Sequence, residues 1–131
     1  MQLIVLTAVT GIVFLAADAI MLSTVIRPLF QKHLGEGLLD GLRLPAALAF
    51  YVVYLFGMVW FAGLPGLREG LGTAVLNGAL LGLVAYSTYE LTSWAVMKDW
   101  HPAMVATDLA WGTALTAGAV AAGVWAARLV G

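Results

Sequence analysis

Between Leu3 and Ile26 the chain runs for 24 residues with one charged side chain, Asp18. An α-helix rises about 1.5 Å per residue and the hydrocarbon core of a bilayer is about 30 Å thick, so about 20 apolar residues cross it. Three further stretches reach that length, Leu44 to Leu64, Leu71 to Met97 and Ala103 to Leu129. The chain is 63% hydrophobic and 10% charged, and its mean hydropathy is +0.99. Soluble domains carry about 25% charged residues, and a chain this short has too little interior to hide the excess of apolar surface. Short connections set neighbouring helices antiparallel. The expected fold is an all-α membrane protein, a bundle of four transmembrane helices. One domain fills residues 1–131, with spans at about 3–26, 44–64, 71–97 and 103–129.

The first stretch is too long for a signal-peptide h-region and lacks a basic n-region, so it reads as a spanning helix. Pro28 and Pro65-Gly66 read as stops for the first and second spans. In the connection from Arg27 to Arg43, Leu29, Phe30, Leu34, Leu38, Leu39 and Leu42 recur at helical spacing. A short interfacial helix and a solvated loop are both consistent with that pattern. Trp60, Phe61 and Trp125 at one membrane face, and Trp100 at the other, read as interfacial anchors.

Several function classes are excluded. Without Cys there are no disulfides, thiolate metal sites or Cys nucleophiles. The net charge of −1 and the absence of a basic run argue against nucleic acid. His33 and His101 fall in connections without supporting ligands, so neither a metal site nor bis-His haem is expected, nor any other cofactor. Lipid is the expected partner.

Three acids sit inside the apolar spans. Asp18 lies nine residues before Arg27, Glu90 eight before Lys98, and Asp108 six after Pro102. At 1.5 Å per residue these lie roughly 13, 12 and 9 Å below one membrane face. Tyr51, eight residues after Arg43, comes to roughly 12 Å. Each helix therefore brings a polar group to one layer. Tyr86, Glu90 and Ser93 share a helix face, with Tyr89 beside them, and Asp108 shares one with Trp111. No Lys or Arg lies within the apolar centres: either Arg27 or Arg43 reaches down from the interface, or these carboxyls find donors among themselves and the tyrosines. Intramembrane ionisable residues are costly and are read first as functional. The bland alternative is an interhelical hydrogen-bond network. Gly78 and Gly82 on the third span, and Gly112 with further small residues on the fourth, let backbones approach closely. That suits packing within the bundle and leaves a homodimer open. Asn77, near the opposite face, is placed to bond across helices.

These residues carry a resemblance. Asp18-Ala19-Ile20, Pro45-Ala46 with Phe50-Tyr51-x-x-Tyr54, Tyr86-x-Thr88-Tyr89-Glu90-Leu91-Thr92 and Asp108-x-x-Trp111-Gly112 resemble the bacterial membrane-protein family called domain of unknown function 2177. In that family Asp commonly stands where this chain has Glu90, Asn where it has Ser93, and Trp where it has Met21. The resemblance implies four helices and no particular activity.

Three functions are compatible with the pattern. Asp18, Glu90 and Asp108, ringed by Tyr51, Tyr86, Tyr89 and Trp111, suit binding or transport of a proton, a cation or a small lipophilic ligand. The same cluster suits an acid–base isomerase or cyclase acting on an isoprenoid- or sterol-like lipid. A structural accessory subunit needs it only for helix register. The expected location is the bacterial inner membrane. Arg27, Lys32, Arg43 and Lys98 on one side outweigh Arg68 and Arg128 on the other, which puts both termini outside.

Overall fold

The computed structural model describes residues 1–35 and 43–131. Four helices are each long and apolar enough to cross a membrane: α1 (Gln2–Leu34), α2 (Leu44–Glu69), α3 (Leu71–Val96) and α4 (Pro102–Val130). No strand occurs among the described residues. Helices follow from the solvent: hydrocarbon offers backbone groups no partner, so each span must satisfy them internally, whatever the helix propensity of its Val, Ile and Thr residues.

Neither proline ends its helix. α1 is α-helical through Met21, widens into a π-helical turn over Leu22–Ile26, and resumes as α-helix over Arg27–Leu34 with Pro28 in its first turn. A proline ring clashes with the carbonyl four residues back and donates no hydrogen bond. The wider turn, closed by the Arg27 N–H on the Leu22 carbonyl, takes up that misfit. α2 repeats the device: a π-helical turn over Val59–Gly63, then Pro65 inside a helix that continues to Glu69. Asn77 Nδ2 donates to the Phe61 carbonyl at 3.0 Å, four residues before Pro65, across the α2–α3 contact. The second span therefore ends at Gly70. This residue adopts φ +120°, a conformation that favours glycine, and is the whole α2–α3 connection.

At 33 residues, α1 is about 50 Å long, well beyond the hydrocarbon thickness. Its Arg27–Leu34 turns occupy the start of the connection where an interfacial helix or a loop was expected, as a continuation of the span itself. Leu29, Phe30 and Leu34 lie in these turns; Leu38, Leu39 and Leu42 fall outside the described residues.

α4 is the central helix, with α3 along one side and α1 along another. A Cβ at Gly82 would run into the Gly112 carbonyl, one at Gly112 would enter the Tyr86 ring, and one at Gly78 would stand 3.0 Å from Ala117 Cα. These small residues are used inside the chain, where α3 meets α4. α2 packs on α3 and α4 through its Val59–Glu69 half, while the backbone of Leu44–Met58 approaches chiefly α1. Two apolar clusters result. The larger holds Leu6, Phe14, Met58, Val120 and Val124, and the smaller holds Ile26, Phe30, Trp100, Met104 and Val105.

Candidate functional site: an acid and aromatic crevice

Because the Leu44 half of α2 leans away from α3, a crevice of about 490 Å³ opens between them. All four helices line it: Asp18, Leu22, Ile26, Arg27 and Phe30 from α1, Ala47, Phe50 and Tyr51 from α2, Ala85, Tyr86 and Tyr89 from α3, and Asp108 from α4. The spacing of Asp18, Leu22, Ile26 and Phe30 is one helical turn each, so α1 forms a wall about 18 Å long with the acid at its inner end. The crevice is not sealed: Phe50 and Tyr89 in its walls are 45% and 51% exposed. Its volume falls within the range of small-molecule sites.

Asp18 is held from two helices. Tyr51 O–H donates to Oδ2 at 2.9 Å and Trp111 Nε1–H donates to Oδ1 at 3.1 Å. Both carboxyl oxygens thus take donors from neighbouring helices, and each keeps a lone pair for a further one. Tyr51 is steadied by its edge contact with Phe14, 5.8 Å between centroids. Tyr86 lies over Gly112 and meets Tyr54 edge to face, while the Tyr54 hydroxyl hydrogen-bonds Thr116 Oγ1 at 2.8 Å.

Glu90 does not line the crevice. It is completely buried, turned toward α4, where its carboxyl interacts with that of Asp108. Trp100 Nε1–H donates to Glu90 Oε1 at 2.9 Å, and Oε2 has no hydrogen-bond partner among the described residues. Asp108, 7% exposed, stands between Glu90 and the cavity. Asp18 and Asp108 share that cavity, and Glu90 lies behind Asp108. Ser93 makes no side-chain hydrogen bond among the described residues, so the shared face of Tyr86, Glu90 and Ser93 does not act as one polar surface.

Trp100 is the residue the sequence reading misplaced. It is not an interfacial anchor: it is 8% exposed, folded over Glu90, with Phe30 and Tyr89 edge-on to its ring at 5.4 and 5.6 Å. It lies in the non-helical turn between α3 and α4, so no helical periodicity ties it to Glu90. Trp60, Phe61 and Trp125 are each 58% exposed. His33 and His101 stack face to face at 4.1 Å, and His101 Nδ1 accepts from the Ala103 N–H at the start of α4. Stacked rings aim their ring nitrogens past each other, and no group of three or more metal-ligating side chains occurs among the described residues.

Four apolar spans around an intramembrane crevice of acids and aromatics define an integral membrane protein of the small all-α kind. The model of a family described as "Predicted membrane protein (DUF2177)" matches residues 3–125, and the chain belongs to that family, whose function is unknown. No curated protein and no solved structure matches the chain.

Proposed function

We propose that the crevice binds a small lipophilic cation. The observation that carries this reading is the pairing of apolar and aromatic walls with two acids, Asp18 and Asp108, at the inner end of an unsealed cavity between α2 and α3. Aromatic rings attract a cation through their faces, by about 0.5–2 kcal/mol each as the site loses water. Tyr51, Tyr86, Tyr89 and Phe50 supply such rings, and the carboxylates supply the opposite charge. Leu22, Ile26 and Ala47 match the apolar body of the ligand. On this reading the protein lies in the bacterial inner membrane with both termini outside, and the Arg27 end of the crevice faces the cytoplasm.

The test uses two ions of nearly the same size and shape and opposite charge. Tetraphenylphosphonium should bind the purified protein in lipid nanodiscs, while tetraphenylborate should bind no better than it does to empty nanodiscs. Asp108→Asn should weaken phosphonium binding about tenfold, the loss of about 1.4 kcal/mol of charge pairing. Equal binding of the two ions would refute the cation reading.

A further inference from the structure

We propose that Glu90 and Asp108 hold one exchangeable proton between them, and that a cation entering the crevice expels it to water. This rests on the lipophilic-cation reading of the crevice and adds to it a second, linked site whose ligand is a proton. The arrangement is unequal. Glu90 is fully buried and, among the described residues, takes one hydrogen bond, from Trp100, and leaves Oε2 without a partner. Its carboxyl interacts with Asp108, the group that reaches the cavity. Two carboxylates side by side, one of them shut off from solvent, repel each other, and one proton shared between them removes the repulsion and supplies the missing donor.

Asp18 on α1 and Tyr86 and Tyr89 on α3 face the pair, and Arg27 on α1 and Tyr51 on α2 line the same crevice. Tyr51 and Trp111 are already committed to Asp18. Trp100 covers Glu90 from the turn side. The proton therefore leaves by way of Asp108 into the crevice. One O–H bond is broken to water and no other bond changes. When a monovalent cation enters and the proton departs, the net charge of the site is the same before and after. This exchange avoids charging a region of low dielectric, where each uncompensated charge is expensive.

Linkage sets the sign. A bound cation that displaces one proton binds more tightly as pH rises through the titration of the pair, by about tenfold per pH unit. Tetraphenylphosphonium cannot itself donate a proton, so any proton released comes from the protein. In weakly buffered nanodiscs, an indicator dye should report close to one proton released per phosphonium bound. Glu90→Gln should still bind phosphonium, release none, and show an affinity flat with pH. The conservative Glu90→Asp should keep both release and slope, which separates loss of the proton from loss of the fold. Phosphonium binding to the unmodified protein without proton release and without a pH slope would overturn the exchange while leaving the cation reading intact. No phosphonium binding at any pH would overturn both.

Discussion

Replacing Trp100 by Phe tests the connection between the α3–α4 turn and the buried acid. The substitution keeps a ring between Phe30 and Tyr89 and removes the N–H that serves Glu90 Oε1. Glu90 has no exposed surface, so water cannot replace the lost donor. A hydrogen bond to a charged group contributes about 1.5–3 kcal/mol. Between neutral groups inside a membrane protein the measured average is about 0.6 kcal/mol. With the shared proton resting on Asp108 and the charge on Glu90, Trp100→Phe should destabilise the native chain by about 1.5–3 kcal/mol in its polar part, and the Glu90→Gln background by about 0.6 kcal/mol. The smaller ring also loses packing, but that loss is common to both backgrounds and cancels in a double-mutant cycle. The expected coupling is about 1–2 kcal/mol, read from equilibrium unfolding in mixed micelles of mild detergent and dodecyl sulfate. A coupling under about 0.5 kcal/mol, the usual error of additivity, would show that the Trp100–Glu90 bond carries no charge and would refute the reasoning.

Two further outcomes follow from particular contacts. Gly112→Ala puts a methyl into the Tyr86 ring and should destabilise by about 1–3 kcal/mol, whereas Gly118→Ala, with open space around it, should be neutral or stabilising by up to about 1 kcal/mol; unfolding curves of the two variants decide it. Because the chain has no Cys, single cysteines at Lys98 and Arg128 can report orientation, and an impermeant maleimide applied to intact cells should label Arg128→Cys and spare Lys98→Cys.

The helices were legible because hydropathy and length constrain a membrane span more tightly than any propensity does. That Asp18 and Tyr51 lie at one depth was legible too, since residue counts from the charged connections convert to depth at a constant rise, and Trp111 entered only through the helix face it shares with Asp108. The two prolines misled for a physical reason. A π-helical turn shifts the register by one residue, and nothing in the composition of Leu22–Ile26 or Val59–Gly63 marks it. Depth counting also cannot tell which way a side chain turns about the helix axis. It brought Glu90 to the layer of Asp18 and Asp108 without revealing that Asp108 stands between Glu90 and the cavity. Trp100 was hidden by its place in a turn, where the residue that folds back is set by the chain path and by the aromatic contacts waiting for it.

The one-residue turn at Gly70 gives α2 the mechanics of a lever. Close to this end, a Cβ on Gly66 would sit 2.6 Å from Ala74 Cβ and 2.9 Å from Val124 Cγ2, so the fulcrum has no slack. Measured from Gly70, the arm is the whole helix Leu44–Glu69, 26 residues. It is about 39 Å long, and a tilt of about 1° at the fulcrum displaces its far end by about 0.7 Å. Added bulk at Gly66 should therefore change the width of the crevice from the other end of α2. A methyl group added there would act on the site without touching any residue that lines it.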